Sequence, residues 1–339
     1  MRVAVDAMGG DHAPREIVRG TVDAVKGLKD ISQVFLVGDD AAIRFELSEY
    51  GTPLESLPSV RIVHASETVG MDESPAQAIR KKKDSSIARA VDLVKSGEAD
   101  AVVSAGNTGA VVVSAQLKLR TLEGIERPAI ATIMPTQKNP FVLLDAGATL
   151  DCDADLLYQF AVMGSVYSRL ILGRENPVVG LLSIGGEASK GNEITKMAYQ
   201  VLDGSSLNFR GNVEGHDLFR GETDVIVCDG FVGNIVLKTS ESTAYAIAHW
   251  MKQEFQRNPL RKLGAMLLLG ALRAMKLKMD PELYGGAPLL GVNGVCIITH
   301  GASSRRAIFH AVRVAGESVT QRLNQRITYE LEQLGAAKK

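Results

Sequence analysis

The sequence predicts an α/β fold, one domain built on a mixed but mostly parallel sheet with helices on both faces. Three observations carry this. Short β-rich runs end in glycine or an acid and are followed by helical patterns, the alternation that a parallel sheet covered on both faces produces. With 339 residues, 45% of them apolar, the chain has material for a sizeable core. Ala129–Met134 and Phe141–Asp145 are separated only by PTQKN and Pro140, too short for a right-handed crossover, so this pair is antiparallel and the sheet mixed.

The elements follow in chain order. Arg2–Val5 is a strand ending at Asp6, and Pro14 opens a helix through Lys26, where its missing N–H costs nothing. Val34–Gly38, Val60–His64 and Ala101–Ser104 are strands, as are the two runs of the antiparallel pair. Val178–Ser183 is a buried strand whose tight exit Gly185 and Gly186 allow, and Gly191 or Asn192 caps a helix running towards Asp203. Leu207–Gly211, Asp224–Cys228 and Val295–His300 complete the strands. Two parts break the alternation. Ala244, Ile247, Ala248, Met251 and Phe255 mark one helical face between Ser240 and Gln256, and the apolar, basic Leu260–Met279 follows, so residues 240–283 are expected to form a helical hairpin leaving the sheet. Arg306–Leu334 is expected to be one long helix, with Ala311, Ala315, Val319, Leu323, Ile327 and Leu331 at steps of four and a frayed tail from Gly335.

Bulk properties exclude several function classes. A formal net charge of −1 argues against nucleic-acid binding driven by overall charge, and 5% aromatics leave little for base stacking. Cys152, Cys228 and Cys296 lie far apart with no paired spacing, which suits neither a zinc site nor a disulfide framework and fits a reducing cytoplasm. The opening MRVAVDAMGG is too short in its apolar part, and too soon acidic, for an export signal.

Chemistry is expected at strand ends. Leu181–Glu193, LLSIGGEASKGNE, is a strand–turn–helix unit that delivers Lys190, either a solvated loop residue or the partner of an anion. Five further strand-end segments share its character: DAMGGDHAP with Gly9, Gly10 and His12; SAGNTGA with Gly106, Asn107, Thr108 and Gly109; DAGA at Asp145–Ala148; DGFVGN with Asp229 and Asn234; and HGASS with His300, Ser303 and Ser304. Glycine lets a backbone approach a ligand closely, and most are expected to line one cleft at the carboxyl ends of the strands, with ordinary turn chemistry as the alternative. No nucleophile declares itself. G-x-S-x-G, H-E-x-x-H, G-x-x-x-x-G-K-[ST] and a complete G-x-G-x-x-G after the first strand are all missing, which disfavours covalent catalysis and nicotinamide binding. His12 and His300 are acid–base groups or hydrogen-bonded structural residues. Asp6, Asp11, Asp145 and Asp229 have capping and turn roles as the commoner reading over metal ligation, so neither metal nor cofactor is expected.

VAVDAMGGDHAP, SAGNTGA, MGSVYS at Met163–Ser168, KGNE at Lys190–Glu193, DGFVGN and YGGAPLLG at Tyr284–Gly291 together resemble the bacterial acyl-carrier-protein:phosphate acyltransferases of phospholipid synthesis, the PlsX family, from Met1 to about Leu334. The resemblance implies reversible formation of acyl phosphate from a fatty acyl thioester of acyl carrier protein and inorganic phosphate. It further implies a homodimer and a three-layer α/β/α fold like that of isopropylmalate dehydrogenases and phosphate acetyltransferases. A cytoplasmic protein held at the inner face of the membrane, feeding a glycerol-3-phosphate acyltransferase, goes with it. Because phosphate is itself a nucleophile, such a protein has only to position two substrates and stabilise the oxyanion at the thioester carbonyl. Lys190, Asn234, Asn107 and the backbone around Gly106 and Gly109 are the expected catalytic groups, with Ser303 and Ser304 as further donors. A dehydrogenase on the same fold and a non-catalytic, membrane-attached acyl-carrier scaffold are the rivals.

Two surfaces are expected besides. Acyl carrier proteins are acidic as a class, and Arg80, Lys81, Lys82 and Lys83 form the densest basic run, either a carrier dock or a solvated helix face. Leu263–Leu272 holds no charged residue and is too short to cross a bilayer, yet Arg261, Lys262, Arg273, Lys276 and Lys278 flank it. Leu263, Leu267, Leu268 and Leu269 therefore face either a membrane surface or a dimer partner.

Overall fold

The computed structural model describes residues 1–336. Strands β1 (Arg2–Asp6), β2 (Gln33–Gly38), β3 (Val60–His64) and β4 (Ala101–Ser104) alternate with helices α1 (Arg15–Gly27), α2 (Asp40–Glu49), α3 (Pro75–Lys81), α4 (Ser86–Lys95) and α5 (Thr108–Lys118). Then come β5 (Ala129–Ile130), β6 (Thr132–Met134), β7 (Phe141–Leu144), α6 (Ala154–Leu172), β8 (Val179–Leu182), α7 (Glu193–Asp203), β9 (Phe209–Val213), β10 (Val225–Val227) and α8 (Gly230–Gln256). Helices α9 (Pro259–Leu267) and α10 (Leu269–Lys278), strands β11 (Ala287–Leu290) and β12 (Val295–Ile298), and helices α11 (Arg305–Thr320) and α12 (Leu323–Ala336) complete the chain. The expected α/β class, mostly parallel with helices on both faces, is what forms.

The sheet is divided. A seven-stranded sheet runs β3-β2-β1-β4-β12-β11-β5, and a five-stranded one runs β6-β7-β10-β8-β9. Only β11, against β12 and β5, and β6, against β7, are antiparallel. The single strand expected over Ala129–Met134 breaks at Ala131, whose N–H bonds to Pro288 O at 3.0 Å, so β5 joins β11 in one sheet while β6 joins β7 in the other. β11 was not foreseen, since APLL is short, carries a proline and has no polar alternation. β9 lies two residues later than expected, because it pairs Phe209 with Val179 and bulges before Asn212 reaches Leu181.

Burial on both faces explains the unbroken apolar strands. On β1, Val3 and Val5 pack with Ile17 and Val18 of α1 and Ile308 and Ala311 of α11, while Ala4 between them packs with Ala90 and Val91 of α4 and Val111 of α5. The second sheet packs Leu144 and Val225 on Phe160, Met163 and Tyr167 of α6. A Cβ on Gly164, from the MGSVYS run, would fall 2.6 Å from Val225 Cγ1, so that glycine is a close-packing residue.

The C-terminal helix is not continuous. Arg322 takes a positive φ of 53° between α11 and α12. The turn lets one apolar stripe serve two cores, with Ala311 and Ala315 against β1 and Leu323 and Ile327 against α6. The tail beyond residue 336 lies outside the described residues. In the expected hairpin region the first helix starts ten residues early, at Gly230, and the second is broken at Leu268 into α9 and α10. After Leu237, which packs on the core, no residue from Lys238 to Asp280 is buried, so α8 past its first two turns, α9 and α10 leave the body of the molecule. Among the described residues no helix is long and apolar enough to cross a membrane.

Candidate functional site

The topology gathers the six strand-end segments into two adjacent triplets. β1, β4 and β12 are neighbours, and so their loops interlock. Asp6 and Ser104 are register partners, and Ser104 Oγ donates to Asp6 Oδ2 at 2.7 Å. Asp6 also accepts Met8 N–H at 3.2 Å, and burial pushes its carboxyl above the usual range. Gly9 passes over this pair so closely that a Cβ would lie 2.5 Å from Asp6 Oδ2 and 2.6 Å from Gly106 N. Gly10 has φ +101° and abuts Gly301, to whose carbonyl Asp11 N donates at 2.8 Å. His12, Thr108 and His300 are exposed around this junction, His300 Nδ1 accepting Ala302 N–H at 3.1 Å.

Several expected donors already have structural partners. Asn107 caps α5 by accepting Ala110 N–H, and its Nδ2 donates to the carbonyls of Gly70, Met71 and Glu73 at 3.2, 3.1 and 3.1 Å. Its amide thus clamps the 70–73 loop to the start of α5, where Gly109 lies against Pro75. Ser304 caps α11 and donates to Glu282 at 2.9 Å, and Ser303 is buried.

The second triplet follows β7, β10 and β8, again neighbours. The buried Asp145 carboxylate accepts backbone N–H groups from Ile130, Gly147, Ala148 and Thr149 at 2.8, 3.0, 2.9 and 2.6 Å. Burial raises its pKa, and those donors oppose the rise. Asp229 caps α8 through Val232 N–H at 2.8 Å, so both aspartates hold backbone. Asn234, one turn into α8, is exposed, has no side-chain hydrogen bond among the described residues, and lies 3.5 Å from where a Cβ on Gly147 would stand. Asn192 caps α7 through Thr195 N–H, which leaves Gly191 to make the turn at φ +102°. Lys190 is exposed, with its stem beside Gly185, and forms no ion pair among the described residues.

The two triplets meet at the DAGA loop. Ala146 shares a core with Ala110 and Val111 of α5, and Ala148 and Leu237 pack against it. The starts of α5 and α8, with Gly106–Gly109 in one and Asn234 beside Gly147 in the other, therefore border the same core. No hydrogen bond or ion pair among the described residues links Lys190 to Asn107 or Asn234. The Asp6–Ser104 pair and the Asp145 nest were not read as such from sequence, although each is marked by an acid at a strand end ahead of glycines.

Residues 1–326 match the model of the fatty acid synthesis protein family. The "Phosphate acyltransferase" of Desulfitobacterium hafniense (strain DSM 10664 / DCB-2) is 51% identical over 338 residues, 99% of each chain. The chain belongs to this family. The protein of the same name from Desulforamulus reducens is 52% identical over 332 residues, 98% of each chain. Among solved structures, a phosphotransacetylase from Streptococcus pyogenes superposes at TM-score 0.62 with 19% identity over 94% of both chains. A branched-chain phosphotransacylase from Enterococcus faecalis V583 reaches 0.58 with 15% identity, over 94% of this chain and 99% of that one. At such identities the likeness is one of fold alone, the α/β architecture described above.

The cysteines of this family member are all buried, and burial pushes Cys152 and Cys296 up to about 12, far from thiolate chemistry. Of the basic run, Arg80, Lys81 and Lys83 are exposed, but Lys82 pairs with Glu73 at 2.5 Å and donates to Thr68 O at 2.7 Å, because the chain turns inward where α3 ends. Leu263, Leu267, Leu268 and Leu269 are all exposed. Among the described residues the metal-ligating types that come within reach of one another are Glu214, His216 and Asp217, none of them a strand-end acid of the site.

Proposed function

We propose that the chain transfers a fatty acyl group reversibly from its acyl-carrier-protein thioester to inorganic phosphate, giving acyl phosphate for glycerophospholipid synthesis. The observation that supports it is the shared core that the starts of α5 and α8 border together with the DAGA loop. Two helix N-termini and the free amide of Asn234 border it beside glycines, with no activated serine or thiolate among the described residues around it. Helix starts attract anions, and glycines let a ligand reach the backbone.

In this reading a phosphate oxygen attacks the thioester carbonyl carbon. A C–O bond forms, and the carbonyl oxygen becomes an oxyanion that Asn234 and backbone N–H groups around Gly106 and Gly109 stabilise. Collapse breaks the C–S bond, and the sulfur leaves as thiolate to be protonated from solvent. Lys190 pairs with phosphate or the oxyanion, Asn107 holds the α5 loop in place, and Gly9, Gly10, Thr108, Asp229, His300, Ser303 and Ser304 shape the surroundings. Membership among proteins named phosphate acyltransferase supports the reaction class, and the missing dinucleotide fingerprint weighs against a dehydrogenase.

The hairpin region is proposed to serve a homodimer and a membrane surface at the inner face of the cell membrane, near the acyltransferase that consumes the product. Ile247 on the expected apolar face of α8, and Tyr245 and Trp250 to either side of it, are exposed in the single chain, which supports a second copy over this helix. The deciding experiment incubates the protein with acyl-carrier-protein thioester and phosphate and looks for acyl phosphate. Product confirms the transfer; no product with retained vesicle binding would support a scaffold instead.

A further inference from the structure

Outside the strand-end site, a groove of about 720 Å³ lies on the surface between α3, α4 and α5. Its apolar lining comes from Ile79, Val113 and Leu117, and Leu117, in the last turn of α5, is 69% exposed. Its rim is basic. Arg80 and Lys83 are exposed and in no ion pair among the described residues, whereas Lys118 is held by Asp92 at 2.6 Å, so the two pairless cations set the sign of the groove in a chain whose net charge is −1.

The groove also adjoins the site. Pro75, the first residue of α3, lies against Gly109 in the first turn of α5, and Leu117 is further along the same helix, about 12 Å away at 1.5 Å per residue. A protein seated in the groove would stay outside the glycine loops while a long flexible thiol arm reached into them.

We propose that this groove is where the acyl carrier docks, an acidic amphipathic helix of the carrier laying its apolar side chains on Leu117, Ile79 and Val113 and its carboxylates on Arg80 and Lys83. The proposal rests on the reading that the acyl donor is carrier-bound, and it moves the dock from the four-residue basic run to a concave surface that excludes Lys82. Apolar contact supplies the affinity and the cations supply orientation and on-rate.

The test uses the full chain. Arg80→Glu with Lys83→Glu, and separately Leu117→Glu, are compared with a control of the same charge change, Lys29→Glu with Lys138→Glu, on exposed cations that do not line the groove. Affinity for the holo carrier protein is measured by titration at two salt concentrations, and KM and kcat with the acyl carrier thioester. Each groove variant is expected to raise Kd and KM about tenfold or more with kcat changed less than about twofold, and the charge-reversed one to lose the salt dependence, while the control moves neither. Unchanged Kd in the groove variants, or an equal rise in the control, overturns the dock. A variant that instead changes the association state of the chain assigns the groove to a second copy and equally overturns it. If the wild type forms no acyl phosphate from the carrier thioester, the functional reading fails, and the titration still decides the groove.

Discussion

Ser104 Oγ donates to Asp6 Oδ2 over 2.7 Å, and since the two are register partners at the ends of β4 and β1, this bond ties together the two loops that Gly9 and Gly106 bring into contact. Ser104→Ala leaves a buried carboxylate short of a donor and should cost about 1.5–3 kcal/mol, the range for a hydrogen bond to a charged group. The cost should depend on pH. Burial raises the folded pKa of Asp6 above its unfolded value, so the stability linked to its proton is full below the unfolded pKa and is lost as pH rises through the folded one. Removing Ser104 raises the folded pKa further. Urea unfolding should therefore show a larger deficit at about pH 7 than at about pH 4, and an equal deficit at both would mean the hydroxyl does not support the carboxylate.

Lys190 is exposed and without an ion-pair partner among the described residues, which leaves its charge available to an anion. Lys190→Ala should lower kcat for acyl phosphate formation by 10²–10³, about 2.7–4 kcal/mol, with little change in melting temperature. A folded variant turning over near the normal rate would remove the lysine from the mechanism.

The two asparagines should separate. Asn107→Ala removes an N-cap and the donor to three carbonyls, and is expected to destabilise by about 2–3 kcal/mol. Asn107→Asp keeps the cap acceptor but sets a carboxylate oxygen against the same three carbonyls, so it should recover none of that loss. Asn234→Ala touches no described side-chain hydrogen bond, so its stability should stay within about 0.5 kcal/mol while turnover falls on the order of 10²-fold. If thermal melts rank the two in the reverse order, the assignment of clamp and free donor is wrong.

Leu267 and Leu268 are 82% and 51% exposed at the break between α9 and α10. Replacing both with glutamate should yield an active, associated protein that no longer sediments with anionic vesicles, since it removes the apolar tip and sets two new anions against the roughly 1 kcal/mol that each flanking cation contributes near such a surface. Dissociation into monomers in sedimentation velocity would place these leucines in the interface between copies.

Local pattern by itself determined the α/β class, most strand positions, a cap at Gly191 or Asn192, and the strand-end glycine segments with their family, because each of these is written in contiguous residues whose periodicity or turn chemistry acts locally. Tertiary structure alone decided the rest. Whether Ala129–Met134 was one strand or two depended on which distant edges, β11 and β7, accepted its hydrogen bonds. The stripe from Ala311 to Leu331 fitted one helix equally well until the positive φ at Arg322 turned it from one core to the other. Asn107 read as a free donor until the carbonyls of residues 70–73, more than thirty positions away, took its amide, and Lys82 read as a docking cation until Glu73 neutralised it. A sequence displays what each side chain can offer; only the fold settles which distant partner accepts it first.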